Sequence, residues 1–401
     1  MHVLVIPANY PDETNDSKGC FFRDQVVALN DSGCRVGVLI PPVLYSWLKI
    51  RNFSKLPFGH STLHDGAIPV LRHFSILWIP LCKYFYIKAS KYYALKMYQR
   101  YVSQYGKPDF IHAHCVFYAG IIAHAIHKKH GTSYFLTEHS TAYQRHLLNQ
   151  QELYIASTVA GAAQKCLAVS KPFVEKLDQT VGITGGWKYV PNVLAAEYQN
   201  TFFAMPEFNP EEFNFCNVSW LSPKKNINLL LYSFRDAFKD DLSVTLSIAG
   251  DGEQKQELEL LSKELGLERQ VQFLGRLSRD AVRDLMVKSH VYVSSSDVET
   301  FGVTLIEMLS VGRPVIATRS GGPESIIEHR DGILVPVGDR QALSDAMQCV
   351  KNQYAQYDFQ KIRERCLARF GSNAVATQLR EIYVSAFPAD KCNNHDGAAQ
   401  R

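Results

Sequence analysis

The chain has 401 residues, of which 46% are apolar and 20% charged, as in soluble globular proteins with a packed core. This length predicts two domains of roughly 150–200 residues each. A net charge of +4 is too small to indicate nucleic-acid binding by itself. Nine cysteines without a C-x-x-C pair argue against a disulfide framework and favour a reducing compartment. No window holds about 18 uncharged apolar residues, so no membrane-spanning helix is predicted and a cytoplasmic location is expected.

The first half of the chain contains short apolar segments separated by longer amphipathic ones. The segment HVLVIPA at 2–8 is predicted to be a buried first strand rather than a signal peptide. Further strands are predicted at 35–40, 110–115, 134–139 and 166–170, and a helix over 21–33.

A basic and aromatic window covers residues 41–110. It has ten Lys or Arg residues against two acidic ones, Asp65 and Asp109, and fifteen aromatic residues. This pattern favours contact with an anionic membrane surface, with aromatic rings at the level of the headgroups. The alternative is a set of ordinary amphipathic helices with solvated lysines and inward-facing aromatic rings. No nucleic-acid-binding motif accompanies the window, so nucleic acid is not expected as a partner.

The second half alternates strands and helices regularly. Strands are predicted at 214–222, 244–250, 271–275, 290–296, 314–318 and 332–335, and helices at 226–238, 253–267, 278–289, 304–312 and, briefly, 323–329. Apolar strands separated by helices predict a parallel sheet covered on both faces.

The two halves together predict two doubly wound, Rossmann-like α/β domains that face each other across a deep cleft. The first domain is placed at 1–195 and the second at 196–370, followed by a helix over 371–388 that returns to the first domain and a disordered tail over 389–401. Because each sheet offers a ligand crevice at the carboxyl ends of its strands, such a cleft suits two substrates.

Two carboxylates mark the segment DVETFGVTLIEMLSVGRPVIAT, at 297–318. Glu299 precedes a predicted turn at Gly302, and Glu307 lies within the apolar helix that follows. The amino terminus of this helix offers backbone N–H groups to a phosphate or a sugar hydroxyl. A buried Glu307 needs a hydrogen-bond donor, which could be internal or supplied by a ligand.

The order of motifs resembles the retaining glycosyltransferases of family 4, which have the GT-B fold. The resemblance is dense from Val218 to about Ala346, where AGDG and FLG precede the E-x7-E pair and GRPVIAT follows it. It is thinner in the first domain, through KGCFFRDQVVAL, PDFIHAH, LTEHSTAYQR and YVPNV. It implies that the first domain binds the acceptor and the second the sugar nucleotide.

The resemblance also implies roles for particular residues. Glu299 would face the donor sugar, Glu307 would hold the ribose hydroxyls, and Lys225 would bind the pyrophosphate. The backbone of Phe301, Gly302 and Val303 would contact sugar hydroxyls and the distal phosphate. His139 would lie near the donor sugar, Arg276 and Leu277 near the nucleobase, and Gly19, beside Phe21, near the phosphates or the acceptor.

One position departs from the family pattern. Where the family usually has Gly-Arg-Leu before its lysine, this chain has Ser219, Trp220 and Leu221. Either a second phosphate-binding cation comes from elsewhere, with Lys224 and Arg276 as candidates, or phosphate binding is weaker. Trp220 would either stack on another group or point into the core.

The sequence therefore predicts a retaining, metal-independent glycosyltransferase without a cofactor. Its donor would be a nucleotide sugar, UDP-linked in preference to GDP-linked, and its acceptor a saccharide or lipid-linked saccharide of a polysaccharide pathway. A zinc site at His112, His114 and Cys115 is a weak alternative, since Cys115 should face away from the two histidines. An inactive sugar-nucleotide-binding or scaffold protein, and a GT-B epimerase or hydrolase, remain as alternative functions.

Overall fold

A computed structural model describes residues 1–11, 18–46, 58–77, 83–201 and 212–387. These residues form two α/β domains, each built on a largely parallel sheet. The predicted fold of two doubly wound domains is confirmed. The predicted tail at 389–401 and two parts of the basic and aromatic window, 47–57 and 78–82, lie outside the described residues.

The described part of the first sheet has nine strands. They are β1 (His2–Ile6), β2 (Arg35–Leu39), β3 (Val43–Ser46), β4 (Gly59–Asp65), β5 (Ile68–Leu77), β6 (Phe110–His114), β7 (Tyr134–Glu138), β8 (Cys166–Ala168) and β9 (Trp187–Tyr189). The order is β3-β5-β2-β1-β6-β7-β8-β9, all parallel, with β4 antiparallel to β5. The helices are α1 (Cys20–Asp31), α2 (Lys83–Tyr105), α3 (Ile121–His130), α4 (Gln150–Gly161), α5 (Lys171–Val181) and α6 (Ala196–Gln199).

The described part of the second sheet has six parallel strands. They are β10 (Phe213–Val218), β11 (Val244–Ala249), β12 (Val271–Gly275), β13 (Val291–Ser294), β14 (Val315–Thr318) and β15 (Gly332–Val335). The helices are α7 (Ile227–Phe238), α8 (Lys255–Glu264), α9 (Arg279–Lys288), α10 (Val303–Ser310), α11 (Arg340–Asn352), α12 (Phe359–Phe370) and α13 (Ser372–Ser385). The order β12-β11-β10-β13-β14-β15 reverses direction between β10 and β13, and that reversal is where open α/β sheets bind ligands.

Helix α13 packs on the first domain. Its residues Val375, Leu379 and Tyr383 join the core on the α1 side of the first sheet. The Tyr383 hydroxyl lies 2.6 Å from Nδ1 of His112 in β6. A second apolar cluster continues from one domain to the other through Tyr198 and Phe370, so the side of the molecule where the chain crosses is packed and not open.

Several predicted elements need correction. Strand β10 ends at Val218, so 219–222 form a loop, and the predicted helix at 323–329 is a single 3-10 turn, Pro323–Ser325. Strands β3, β4 and β5 were not predicted within the basic and aromatic window. The pattern of β4 (GHSTLHD) is weak, because this strand has no fully buried residue and shows no alternation of apolar and polar side chains.

Candidate active site

Two loops meet where the second sheet reverses direction. The loop after β10 contains the 3-10 turn Pro223–Lys225, and the loop after β13 contains Glu299. The Asp297 N–H donates to the Lys224 carbonyl (2.8 Å) and the Ser295 hydroxyl to the Lys225 carbonyl (3.0 Å). Asn226 caps α7 and also donates to the Asp297 carboxylate, at 2.8 Å. These bonds hold the two loops together as one support for the side chains above them.

Lys225 and Glu299 form an ion pair on that support. Their side chains are 20% and 19% exposed, so the pair is largely shielded from water. Burial is the largest influence on the pKa of Glu299 and would raise it, but the charges of Lys225 and Lys224 and the N–H of Phe301 outweigh burial and lower it. Glu299 is therefore an anion at neutral pH, and it orients the Lys225 ammonium.

The Glu299 backbone is fixed by a glycine turn after β14. Its N–H donates to the Ser320 carbonyl (3.0 Å), and its carbonyl accepts from the Gly322 N–H (2.7 Å). A Cβ at Gly322 would lie 2.1 Å from the Phe301 carbonyl oxygen, so this approach requires glycine. Gly302, with φ of +109°, then starts α10 without a capping side chain, which leaves the N–H groups ahead of Leu305, at Val303 and Thr304, available for a ligand.

Glu307 lies in a different setting, one turn further along α10. Its half-buried carboxylate has no hydrogen bond or ion pair with any described residue. Burial raises its pKa to about 7, Arg279 opposes that rise, and the carboxylates of Asp24 and Glu197 add to it. Arg279 forms ion pairs with Glu197 (2.7 Å) and Asp24 (3.4 Å). Because Asp24 belongs to α1, this cluster joins the two domains.

His139 lies in the first domain and contacts the Glu299 loop across the cleft. Its carbonyl accepts a hydrogen bond from the Thr300 hydroxyl, at 3.0 Å. Its Nε2 lies 3.0 Å from Nδ1 of His114, and its Nδ1 has no partner among the described residues. Burial, helped by His112, lowers the pKa of His139 to about 3, so the ring is neutral at pH 7.

Gly19 allows the amino terminus of α1 to pack closely against the loop after β1. It has φ of +75°, and a Cβ there would lie 2.7 Å from the Asn9 carbonyl. The rings of Phe21 and Phe22 lie 5.5 and 5.0 Å from the His139 ring. The structure thus brings Gly19, His139, Glu299 and Lys225 to the same cleft.

The segment after His139 adds a residue that the sequence analysis missed. Gln144 approaches so closely that a Cβ at Gly321 would lie 2.5 Å from its Nε2. The next residue, Arg145, is exposed and its guanidinium has no hydrogen bond or ion pair with any described residue. Burial, the charge of Lys225 and the charge of Arg145 lower the pKa of Lys224, whereas the charge of Glu299 opposes that change. Arg145 lies in the segment TEHSTAYQR. The resemblance of this segment to the family was the sequence signal that could have identified Gln144 and Arg145 as site residues.

The remaining predicted residues lie toward the edge of the sheet. Arg276 is exposed and Leu277 half-buried, and they follow β12, which is two strands away from β10. Trp220 is 59% exposed and donates from Nε1 to the Glu253 carboxylate at 3.1 Å. The alternative that it points into the core is therefore wrong. Strand β10 ends at Val218, so Trp220 lies in the loop that follows and not in the predicted strand.

Comparison with known proteins decides the family. The family model described as glycosyltransferase family 4 matches residues 23–196, and the model described as glycosyl transferases group 1 matches residues 199–366. The chain belongs to the GT-B glycosyltransferases of the family 4 type. Solved structures with the same fold include HepE from Anabaena in complex with UDP and glucose, at 18% identity and a TM-score of 0.70, covering 96% of this chain and 100% of that one. Sucrose-phosphate synthase from Thermosynechococcus elongatus has a TM-score of 0.74 at 18% identity, covering 96% and 99%.

Relatives of this glycosyltransferase include proteins named for lipid-linked products. The gpi3 subunit of phosphatidylinositol N-acetylglucosaminyltransferase from Schizosaccharomyces pombe is 30% identical over 49% of this chain and 43% of its own length. LpsE of Rhizobium meliloti, a lipopolysaccharide core biosynthesis glycosyltransferase, is 33% identical over 35% of this chain and 42% of its own length. The chain spans about two fifths of the length of these curated relatives.

Two further findings concern metal and membrane. Among the described residues, no group of three His, Cys, Asp or Glu side chains is arranged to hold a metal ion. In the same part of the chain, no helix combines the length and the apolar character needed to cross a membrane.

Proposed function

We propose that this glycosyltransferase moves a sugar with retention of configuration from a nucleotide sugar, a UDP-sugar by preference, to a saccharide or lipid-linked saccharide of a surface polysaccharide. The observation that carries the proposal is the shielded Lys225–Glu299 pair at the reversal point of the second sheet, facing His139 across the cleft. The presence of UDP in the HepE structure supports the choice of nucleotide.

The leaving pyrophosphate would be stabilised by protein groups and not by a metal ion. Lys225 faces the place where charge develops, and the uncapped amino terminus of α10 adds N–H donors. Lys224, the neighbour of Lys225 in the chain, and Arg145, whose charge acts on Lys224, would supply the cation that Trp220 does not. Fixed charges of this kind act strongly because the site is shielded from water.

The two carboxylates would bind opposite ends of the donor. Glu299 would accept hydrogen bonds from the transferred sugar, together with the backbone of Phe301, Gly302 and Val303. Glu307 would accept two hydrogen bonds from the ribose hydroxyls, for which a carboxylate is suited. His139, neutral at pH 7, would position the sugar from the first domain. The acceptor hydroxyl would attack from the face that the leaving group vacates.

The acceptor would bind to the first domain at the membrane surface. The basic and aromatic window belongs to this domain, and relatives named for lipopolysaccharide core or phosphatidylinositol products point to a lipid-linked acceptor. A peripheral position on the inner face of a membrane follows from that acceptor and is part of the proposal.

The proposal is tested in two steps with the purified chain. Thermal unfolding is first measured with a panel of UDP-sugars and GDP-sugars, because a ligand that binds only the native state raises the apparent stability. Nucleotide release is then measured with and without a lipid-linked saccharide, in the presence of EDTA, and the product linkage is determined by NMR. We expect one UDP-sugar to stabilise the protein, release to need the acceptor, and the anomeric configuration to be retained.

Other outcomes would contradict the proposal in distinct ways. Release without any acceptor would indicate a hydrolase or an epimerase. Binding without turnover would indicate an inactive binding protein. Activity that is lost with EDTA and restored by Mn²⁺ would show that a metal ion, and not Lys225, neutralises the leaving group.

A further inference from the structure

An apolar pocket lies in the first domain, away from the Lys225–Glu299 pair. It has a volume of about 230 Å³ and lies between α2, α4 and the irregular turn Val116–Gly120 that precedes α3. Its apolar lining comes from Ile87, Phe117, Ile121, Ile122 and Leu148. An apolar cavity of about 150 Å³ is enough to bind benzene, so this pocket, here called the α2 pocket, has room for part of a hydrocarbon chain.

The α2 pocket is connected to the active site through two segments. The turn Val116–Gly120 directly follows β6, whose last residue, His114, contacts His139. Leu148 lies on the segment that begins at His139 and passes over the second domain. The Val116 N–H donates to the Glu138 carboxylate at 2.8 Å, which ties the two segments together. A molecule in the pocket could therefore extend along this segment into the cleft.

The backbone beside the pocket adopts an unusual conformation. Cys115 has φ of 72°, and Tyr118 has φ of 69° and ψ of −76°. Non-glycine residues seldom occupy this region, and such strain is concentrated at functional sites. One consequence is that Tyr118 is turned outward and 55% exposed, with its ring 6.2 Å from that of Tyr86. The two tyrosines form the rim of the pocket.

The charge around the pocket favours an anionic ligand. Helix α2 contains five cationic residues and no acidic one. Lys91 lines the pocket and has no acidic partner within ion-pair distance among the described residues. Glu152 also lines it, but its carboxylate is engaged in the capping box of α4, where it accepts from the Asn149 N–H at 3.1 Å. The pocket lining thus carries one cation and one carboxylate, and the excess of positive charge near the pocket comes from the other cationic residues of α2.

The outer side of α2 has the same character. Ala94, Met97 and Tyr101 face the core, while Phe85 and Tyr92 are 42% and 54% exposed. The exposed side also includes Lys88, Lys96 and Arg100. Aromatic rings interleaved with cations suit the headgroup region of a membrane that contains anionic lipid. This face would bring the mouth of the α2 pocket close to the lipid surface.

We propose that the α2 pocket binds the hydrocarbon chain of the lipid phosphate that carries the acceptor saccharide. The first carbons of the chain pack against Ile87, Phe117 and Leu148, the phosphate lies at the tyrosine rim near Lys91, and the saccharide runs along the segment from Leu148 to His139. This inference rests on the proposed function, since it names the anchor of the same acceptor.

The test measures binding of dodecyl phosphate to the full chain by calorimetry, below the concentration at which it forms micelles. We expect wild-type protein to bind it, and inorganic phosphate alone not to bind. Leu148→Trp should fill the pocket and weaken binding by about tenfold, which corresponds to two methylene groups kept out. Leu147→Trp is the matched control, since the neighbouring Leu147 is 58% exposed and does not line the pocket, and it should bind as wild type does.

A second pair of variants tests the charge. Lys91→Gln should weaken binding of dodecyl phosphate about threefold or more at low salt, because one ion pair to a partly shielded phosphate is lost. Lys129→Gln, an exposed lysine at the other end of α3, should have no effect. Equal affinities of the two leucine variants would overturn the pocket assignment. The assignment would also be overturned if the protein bound anionic vesicles but not free dodecyl phosphate, and if Leu148→Trp left the vesicle binding unchanged.

Failure of the pocket inference can be distinguished from failure of the proposed function by measuring the donor site separately. UDP-sugar binding and nucleotide release to a short water-soluble saccharide are measured on the same variants. If these are normal while dodecyl phosphate does not bind, the pocket inference fails and the proposed function stands. If dodecyl phosphate binds but no nucleotide sugar does, the proposed function fails and the lipid site remains.

Discussion

The two carboxylates of the E-x7-E pair, Glu299 and Glu307, have opposite electrostatic environments. Glu299 is paired with Lys225 and its pKa is lowered, whereas Glu307 has no direct partner among the described residues and its pKa is raised to about 7. Both residues are half-buried, so burial alone does not decide their charge. The difference comes from the neighbouring cations.

The cations differ in what else they bind. Lys225 is supported within the second domain and faces Glu299 alone among described acidic groups. Arg279 is already shared between Glu197 and Asp24, and Asp24 comes from the first domain. The sugar end of the proposed donor site is therefore built by one domain, whereas the ribose end is completed by both. Ligand binding at Glu307 should consequently depend on pH and on the contact between the domains.

The largest expected effect is on the Lys225 side of this comparison. Lys225→Ala should lower kcat/KM by roughly 10²–10³, equivalent to about 3–4 kcal/mol, because it removes a preorganised cation from the leaving group. Steady-state kinetics with saturating acceptor measure the change.

Lys224→Ala is the matched control for this variant. Lys224 adjoins Lys225 but is not ion-paired with Glu299, and burial with two neighbouring cations lowers its pKa. We expect a much smaller loss. Equal and small losses for both variants would mean that Lys225 is only a surface lysine and that Glu299 needs no fixed cation.

Much of this arrangement could be predicted from the sequence. Regular alternation predicted the second sheet, and the glycine before an apolar helix correctly predicted the turn at Gly302 and, to within one residue, the start of α10. Local signals of this kind depend on residues close together in the chain. Glu299 and Lys225 were identified through the resemblance to the family, and they meet because loops at the carboxyl ends of neighbouring parallel strands lie at the same edge of a sheet.

The contacts that distinguish Glu307 from Glu299 could not be predicted in this way. Asp24 and Arg279 are separated by 255 positions and meet only because α1 and α9 face each other across the domains. Arg145 likewise influences Lys224 through its charge, from the other domain. No periodicity encodes such pairs, and on a helix surface each of these residues resembles an ordinary solvated charge.

A tenfold effect is expected on the Glu307 side. If ribose hydroxyls bind the ionised carboxylate, affinity for a UDP-sugar should rise about tenfold per pH unit as pH approaches 7 from below and level off above it. The sign follows from the raised pKa of about 7: below it Glu307 is mostly protonated, and binding must then release a proton. Calorimetry between pH 5.5 and 8.5, roughly one to two pH units on either side of this pKa, measures the dependence.

Glu307→Gln should remove most of that dependence. Its affinity should stay low and nearly independent of pH, because Gln accepts fewer hydrogen bonds than a carboxylate and does not ionise. Circular dichroism confirms that the variant is folded. An unchanged affinity at pH 8 would show that Glu307 does not contact the ribose.

The smallest expected effects concern the neighbours of Glu307, and they have opposite signs. Asp24→Asn removes a negative charge that raises the pKa of Glu307, so the midpoint of the binding profile should move to lower pH by up to about one unit.

Arg279→Gln removes the positive charge that opposes the rise, so the midpoint should move to higher pH. The other groups that face this cluster are Glu197, which adds to the rise, and Cys20 and Tyr198, whose pKa values are raised by burial so that they stay neutral over this range. Both variants also weaken the contact between α1 and α9, so a merely structural effect would lower affinity equally at all pH values. Shifts in opposite directions would show that the two domains jointly set the charge of Glu307, whereas two profiles with the wild-type midpoint would show that this charge is set within α10 alone.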